Sequence, residues 1–380
     1  MQNGFQRLTT SLGALLMCSA LTTTAAFAQD NSLGQGDKSI DVTTEGSLVE
    51  DTATEEAVKA AMQRDTGWYP KLRIGGSVSM NYNRDVDGVN DGIALTFGVF
   101  LKGALDAVYK NFEWQNKLEI EHQQTKTPTI DDFIKTADKI DFQTLVLFRI
   151  PKAEWLGPFA KFRLQTSIFP GYYLTDKDVY VRYYHQDTKI DEKGNMHNEN
   201  GQDVPNLLKQ TRLKAQNSVQ LSDYFEPLIL SEGVGLFINP YTSEMLTIQF
   251  KAGVAGQHLF ADGAHVSFDD DDDDQYYDVK EIYDTHSFGV EGELELSGVF
   301  VDYVNWNVTG GLYYPLLISD DHNLKDEELI HAQIEAKISV KLASWASLDY
   351  GLIVKRQPFV TTEWQITNTL LFNVGFDVFH

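Results

Sequence analysis

The chain has 380 residues and a formal net charge of −24 at pH 7, with 31 basic residues against 55 acidic ones. So acidic a chain is a poor partner for nucleic acid, because phosphates repel it and it has few cations with which to displace their counterions. Its one cysteine is Cys18, near the N-terminus. Disulfides, iron–sulfur clusters and thiolate zinc sites are therefore excluded from the remainder of the chain.

The N-terminus has the features of a secretory signal peptide. A positively charged start containing Arg7 leads into an apolar run at residues 8–21, and Ala-Phe-Ala follows at 26–28. Small residues at the first and third of these positions match the usual cleavage rule, so we expect cleavage before Gln29. Lipidation of Cys18 is the alternative, and it is disfavoured because a bulky methionine precedes that cysteine.

Residues 29–67 are rich in acidic side chains and contain few large apolar ones. Chains of this composition cannot bury enough apolar surface to fold alone. We predict a short periplasmic segment that is disordered, or helical over about residues 47–63.

From residue 71 onward, apolar and polar side chains alternate, which is typical of strands with one apolar and one polar face. In the first strand Leu72, Ile74 and Val78 share one face, while Arg73 and Ser77 share the other. Such runs occur at about 71–83, 93–109, 112–123, 140–150, 159–169, 228–238, 245–257, 287–298, 303–316, 328–342, 347–356 and 364–379.

This pattern predicts an all-β fold, an antiparallel transmembrane β-barrel of about 12 strands. Several runs reach the ~9–11 residues that cross a bilayer, and beyond the signal peptide no segment approaches the ~20 apolar residues of a spanning helix. Short connections alternate with longer loops, and an even strand count returns both termini to the periplasm. The predicted short connections are 110–111, 151–158, 239–244, 299–302 and 343–346, and the predicted longer loops are 84–92, 124–139, 170–227, 258–286, 317–327 and 357–363. We thus divide the chain into a signal peptide (1–28), an acidic segment (29–67) and an outer-membrane barrel (68–380). A soluble β protein is the alternative.

Aromatic residues support the barrel prediction. Trp68, Trp114, Trp155, Trp306 and Trp345 all fall near predicted periplasmic strand ends, as expected of rings that prefer the bilayer interface. The last strand alternates from residue 364 to 378, and the chain stops one residue after Phe379. It resembles the terminal strand that the barrel-assembly machinery recognises.

Three short motifs carry a family resemblance. They are Phe-Pro-Gly-Tyr at 169–172, Ser-Asp-Tyr-Phe-Glu-Pro at 222–227, and Ile-Asn-Pro-Tyr-Thr at 238–242, and the strand rhythm from Phe288 onward adds to them. In these features the chain resembles the bacterial outer-membrane barrel family catalogued as domain of unknown function 3078. The resemblance implies location and fold, and the family brings no established activity. A hairpin element of the family is missing between 83 and 92, and about forty residues between 173 and 222 look inserted.

Charged side chains of both signs fall on the predicted inward face. They are Glu113, Lys117, Glu119, Glu121, Lys161, Arg163, Lys251, Glu291, Glu293, Glu295, Glu335, Lys337 and Lys341. Two interpretations stay open. The charges select solutes in a narrow aqueous lumen, or they pair with one another and fill a barrel too small to conduct.

An unbroken acidic run lies in a long predicted loop. Its members are Asp269, Asp270, Asp271, Asp272, Asp273 and Asp274. Carboxylates can bind calcium, and we weigh a weak metal site here, although the run lacks the spaced ligands and turn glycine of a calcium-binding loop. A solvated, self-repelling loop is the favoured interpretation.

Catalysis is not expected. A lipid-facing hydrolase would need a histidine and a serine two residues apart, but Gln124 follows His122 at that spacing, and His286 and Ser287 point to opposite faces. No phosphate-binding glycine loop or zinc pattern is present, so we expect no cofactor.

Two functions follow from these observations. The first is a narrow channel for small polar solutes; the second is a filled barrel with a structural, surface-binding or divalent-ion-bridging role through its long extracellular loops. Expected partners are outer-membrane lipids, lipopolysaccharide and, during biogenesis, the barrel-assembly machinery, with divalent cations as an additional candidate.

Overall fold

A computed structural model describes residues 66–83, 92–128, 130, 132–184, 189–190, 196–197, 207–243, 245–261, 263–267, 275–301, 303–319, 329–357 and 361–379. The predicted signal peptide, almost all of the predicted acidic segment and the run Asp269 to Asp274 lie outside these residues. Among the described residues there is no helix long and apolar enough to span a membrane.

The described residues form twenty strands. They are β1 (Gly67–Asn83), β2 (Gly92–Tyr109), β3 (Phe112–Lys126), β4 (Phe133–Phe148), β5 (Leu156–Thr166), β6 (Gly171–Leu174), β7 (Val179–Tyr184), β8 (Lys189–Ile190), β9 (Met196–His197), β10 (Leu207–Leu213), β11 (Ser218–Ser222), β12 (Leu228–Thr242), β13 (Thr247–Phe260), β14 (His265–Ser267), β15 (Tyr276–Glu281), β16 (Thr285–Val301), β17 (Val304–Ile318), β18 (His331–Ala343), β19 (Ala346–Gln357) and β20 (Thr361–Phe379).

Twelve of these strands close into a barrel in the order β1-β2-β3-β4-β5-β12-β13-β16-β17-β18-β19-β20, which confirms the predicted count and fold class. Every barrel pairing is antiparallel, and β1 closes the ring by pairing with β20 from Leu72↔Phe379 to Val78↔Phe372. Because of this seam, no strand of the ring is left as a free sheet edge. The connections after β2, β4, β12, β16 and β18 lie at one end, which we call the turn end; the connections after β1, β3, β5, β13, β17 and β19 lie at the other, the loop end. The two longest connections are at the loop end, but the connection between β19 and β20, predicted to be a longer one, covers only residues 358–360.

The two faces of the barrel follow the predicted alternation. On β1, Arg73 and Ser77 are buried inside, whereas Ile74 and Val78 are about half exposed outside. Large exposed apolar side chains cover the outward face of the other strands as well, including Val99, Leu236, Leu312, Ile334, Ile366 and Phe376. The barrel is thus apolar outside and polar inside, the reverse of a soluble barrel.

Aromatic side chains lie at both ends of this apolar surface. At the turn end Trp68, Trp155 and Trp345 are each about half exposed, and Trp68 packs edge-on against Trp114. Trp364 is exposed near the loop end of β20. These positions agree with those expected of interfacial aromatics.

Two long connections fold into a structure that we call the cap, comprising β6 to β11 and β14 to β15. The predicted loops 170–227 and 258–286 supply its strands. Its main sheet has the order β10-β7-β15-β14, in which β15 pairs with β7 in parallel, so that one strand from each connection meets the other. Apolar side chains from both connections, among them Tyr173, Val181 and Val279, pack into a single buried cluster.

Some strands extend further than expected. Residues 124–139 were predicted to form a loop, but β3 continues to Lys126 and β4 begins at Phe133, which includes Lys139. The predicted turn at 239–244 is also shorter, because β12 continues to Thr242 past a register shift between Ile238 and Tyr241. Polar side chains at these strand ends hid the period-2 signal.

Candidate functional site in the barrel lumen

The lumen brings the predicted inward charges together as ion pairs. The largest group, which we call the lysine–glutamate network, consists of Lys161, Lys251, Glu291, Glu293 and Glu295. Lys161 Nζ lies 2.8 Å from Glu291 and 3.6 Å from Glu293. Lys251 Nζ lies 2.7 Å from Glu293 and 3.6 Å from Glu295. Each lysine thus bridges two carboxylates, and the network holds three acidic groups against two basic ones.

A glycine makes this network geometrically feasible. Lys161 stands on β5 and Glu291 on β16, with β12 and β13 between them in the ring. A Cβ atom at Gly233 of β12 would lie 2.7 Å from a Glu291 oxygen and 3.1 Å from Lys161 Cε. The missing side chain is therefore what lets the two charged groups meet over β12.

Arg163 and Asp141 form a second, more deeply buried pair. The Arg163 guanidinium donates to both oxygens of Asp141, at 3.0 Å and 2.5 Å, and Gln165 donates to the same carboxylate at 3.2 Å. This two-bond arrangement fixes both side chains against the wall formed by β4 and β5.

A third group lies on β2, β3 and β4, beside this pair, since Glu119 is the register partner of Asp141. Lys139 Nζ lies 2.9 Å from Glu119 and 3.8 Å from Glu121, and Lys102 approaches Glu119 at 3.9 Å. Lys337 from β18 also attracts Glu119 electrostatically, so charges interact across the lumen.

Glu335 is the most buried acidic residue of the lumen. It is fully buried and lies 2.5 Å from Lys337 Nζ, yet neither oxygen of its carboxylate accepts a hydrogen bond. The contact is therefore ionic and poorly directed.

The remaining predicted residues lie nearer the turn end. Glu113 pairs with Arg149 at 3.0 Å, and Lys341 is exposed at the last inward position of β18 before its turn. Lys117 occupies an inward position on β3 opposite Gln143. All thirteen predicted residues thus fall on the inward face of the barrel, and Lys341 lies at the turn-end opening of the lumen.

Several lumen residues were missed from the sequence. Lys139 was assigned to a loop, although its register opposite Glu121 places it inside. Four apolar side chains, Leu145, Leu147, Phe159 and Phe237, also face inward and form a buried cluster near the turn end. Their apolar character conflicts with a simple polar-inside rule, so only the strand pairing reveals them.

Open space remains along one wall of the lumen. Gly311 and Gly351 lie at inward positions of β17 and β19, and a Cβ atom built on either would meet no atom within 4 Å. Gly311 is the register partner of Glu293, and Gly351 that of Lys337. This wall therefore combines unfilled volume with one acidic and one basic neighbour.

The cap is anchored over the loop end of the lumen. Inward-facing Ile229 and Leu259 pack against Ala261, Val266 and Ile282 of the second long connection. The long connections thus fold over the mouth on the side of β12 and β13 instead of extending freely from the barrel.

One ion pair joins the two connections within the cap. Arg182 of β7 donates to Asp278 of β15 at 2.5 Å and 2.6 Å and stacks over Tyr276 at 4.2 Å. Nearby, burial lowers the pKa of His265, an effect that Glu281 and a hydrogen bond to the Leu221 backbone oppose. Within the part of the chain that the structure describes, no group of three or more His, Cys, Asp or Glu residues is arranged to hold a metal ion.

A closed antiparallel barrel with an apolar, aromatic-edged exterior and a charged interior defines the class of membrane-spanning β-barrels, because only a closed sheet satisfies every backbone group within lipid. No family model and no curated protein matches the chain, so the resemblance to domain of unknown function 3078 stays a prediction.

Several solved structures are similar at low identity. The translocator domain of the autotransporter NalP from Neisseria meningitidis shares 10% identity with a TM-score of 0.35, over 86% of this chain and 99% of that one. An outer membrane channel from Pseudomonas putida F1 shares 6% identity with a TM-score of 0.35, over 82% and 95%. The Pseudomonas putida toluene transporter TodX shares 8% identity with a TM-score of 0.31, over 92% and 96%. The fold assignment rests on the strand pairing of the chain itself.

Proposed function

We propose that the chain is an outer-membrane β-barrel that forms a narrow channel for small polar solutes. The observation that carries this proposal is the open space at Gly311 and Gly351 on the lumen side. The side chains of neighbouring Glu293 and Lys337 are 20% and 29% exposed, so water reaches charges of both signs beside the open wall.

Physical arguments favour a hydrated path over a structural filling. A barrel of twelve strands lies between the ~8-stranded kind, whose side chains fill the interior, and the 16- to 18-stranded kind with a wide channel. Burying ion pairs costs desolvation energy that apolar side chains would avoid, so a barrel that needed only filling gains little from so many charges. Charges of both signs that keep some contact with water suit the passage of small hydrophilic solutes.

Substitutions that place a large side chain in the open space beside Gly311 and Gly351 test the channel directly. We expect Gly311→Trp and Gly351→Trp to reduce single-channel conductance in a planar lipid bilayer, because the indole would occupy the free volume. The matched control is Gly310→Trp, since Gly310 also has open space around it but lies on the lipid-facing side. An unchanged conductance in both lumen variants would contradict the channel.

Neutralising the lysine–glutamate network tests selectivity. We expect weak ion selectivity that shifts toward anions when Glu291, Glu293 and Glu295 are all changed to Gln, because Lys161 and Lys251 would then lack their counter-charges. The reversal potential in a salt gradient measures the shift.

The proposal places the turn end and both termini in the periplasm, with outer-membrane lipids and lipopolysaccharide around the barrel and assembly machinery acting in biogenesis. The closed sheet should resist SDS until it is heated, because no sheet edge is free to start unravelling. Recovery as a soluble monomer without detergent would contradict the membrane location.

A second candidate is a filled barrel that presents the cap for surface attachment or divalent-ion bridging. The packing of the cap onto inward-facing Ile229 and Leu259 favours it, since this contact narrows the mouth. Inserted protein that conducts no ions, even when the cap connections are shortened, would favour this candidate over the channel.

A further inference from the structure

A polar cluster lies on the lipid-facing surface, where the channel does not use it. Glu232 on β12, His258 on β13 and His286 on β16 occupy outward positions, in step with exposed Val234 and Val254. All three lie close to the loop end of their strands. Ionisable side chains on a lipid-facing surface are costly and rare, which makes this cluster a candidate site.

The cluster is a hydrogen-bonded chain of three side chains. His258 Nε2 lies 3.0 Å from Glu232 Oε1, and His258 Nδ1 lies 3.2 Å from His286 Nδ1. A carboxylate acts only as an acceptor, so Glu232 favours the tautomer with the proton on His258 Nε2. The lone pair on His258 Nδ1 then points at His286.

The local sequence sets up this arrangement. His258 and His286 are direct register partners on neighbouring strands, which brings their rings to the same level. Gly256 is the register partner of Glu232, and a Cβ atom there would lie 2.2 Å from Glu232 Oε1, so the glycine lets Glu232 reach His258. Ser319 holds the backbone of His286 through two hydrogen bonds. The His286 N–H donates to the Ser319 hydroxyl at 3.0 Å, and the Ser319 N–H donates to the His286 carbonyl at 2.8 Å.

We propose that His258 and His286 bind a divalent transition-metal ion, of the zinc and copper class, through their Nδ1 atoms. Two nitrogens at ~2.0–2.1 Å from a tetrahedral zinc ion are about 3.3 Å apart, close to the 3.2 Å between these atoms. Glu232 orients His258 from its far side, as carboxylates commonly do for metal-binding histidines. The ion takes the place of the proton between the rings, and neutral His286 then carries its proton on Nε2. Water fills the other positions of the ion at the membrane edge.

The test uses untagged, metal-stripped, detergent-solubilised barrel, because an affinity tag of histidines would itself bind the ions. Titration calorimetry with Zn²⁺ should show one ion per barrel, and Cu²⁺ should give an electron paramagnetic resonance spectrum with nitrogen coupling. We expect His258→Gln or His286→Gln to remove this stoichiometric binding. Glu232→Gln should lower the affinity by about 10- to 100-fold.

Control variants distinguish this site from other side chains of the protein that could bind a metal ion. His122→Gln should leave binding unchanged, because outward-facing His122 has Asp138 and not a second histidine as its register partner. Changing Asp269 through Asp274 to Asn should also leave it unchanged. The heat-dependent shift of each variant on an SDS gel shows that the barrel is folded. Any of three results would overturn the proposal. They are the absence of stoichiometric binding, binding that survives the loss of both His258 and His286, and binding that is lost only in the Asn variant.

Discussion

Lys161 on β5 contacts Glu291 on β16, with 2.8 Å between Nζ and Oε2, although two strands separate them in the barrel wall. The contact lies against the lumen wall over β12, where the two side-chain ends meet. It exists because Gly233 leaves the intervening surface bare. The geometry of the lysine–glutamate network therefore depends both on its charges and on the missing side chain at Gly233.

Three variants distinguish these two contributions. We expect Lys161→Met to increase cation selectivity, because Glu291 and Glu293 lose a shared counter-charge, and Glu291→Gln to shift selectivity toward anions. Gly233→Ala keeps every charge but pushes the two side-chain ends apart. It should change conductance with little effect on selectivity, as measured in planar bilayers. Identical behaviour of all three variants would mean that this network does not line the conducting path.

The pair of Arg163 and Asp141 should stabilise the folded barrel most when both partners are present. We expect Arg163→Met to lower the free energy of unfolding by about 3–5 kcal/mol, because it leaves a buried carboxylate without its cation. The double variant with Asp141→Leu should recover much of this loss. Urea unfolding in lipid vesicles measures both, and Lys341→Met, at the exposed mouth, serves as the control. A double variant less stable than Arg163→Met would contradict this account.

The two faces of the barrel should differ in their tolerance of charge. Phe372 faces the lipid on β20, whereas Gln115 faces the lumen and donates to Glu113. We expect Phe372→Arg to lower the free energy of unfolding by about 2–4 kcal/mol and Gln115→Arg to cost less. Equal costs for the two variants would imply that the strand register differs by one residue from the one described. Such a slip exchanges the lipid-facing and lumen-facing side chains.

The cap should loosen as the pH falls. Burial lowers the pKa of His265 below its ordinary value of 6.5, and Tyr183 covers its ring edge-on. An opened cap restores the ordinary pKa and so binds a proton that the closed cap resists. The contribution of neutral His265 to the stability of the cap is therefore fully present above about pH 6.5. It declines as the pH falls toward the lowered pKa of His265. Asp178 also has a lowered pKa, chiefly from the Ala215 N–H, but its ordinary value is 3.8, so it contributes below this window.

Hydrogen exchange of the β7 peptides at pH 7.5 and 5.0, corrected for intrinsic rates, measures the loosening of the cap. His265→Phe keeps an aromatic ring against Tyr183 but removes the titration, so its exchange should not depend on pH in this range. A pH response that persists in this variant would assign the effect to another group.

Much of the barrel was predictable from the sequence, because its signals are local. Alternation with a period of two depends only on neighbouring residues, so Ile74 and Val78 were correctly placed outside and Arg73 and Ser77 inside. Trp68 and Trp345 marked strand ends for the same reason, since each ring responds to its own depth in the bilayer. The strand count, the faces and the inward position of the thirteen charges followed from these patterns.

Only the tertiary structure decided which side chains meet. Register pairs Lys139 with Glu121 and places Lys161 within reach of Glu291, and these contacts join residues far apart in the chain. The cap likewise depends on β7 meeting β15, two short strands whose sequences carry no sign of each other. Barrel closure sets these distances, because it fixes how far each strand is staggered against the next. Local sequence patterns report which way a side chain points, and not what stands opposite it.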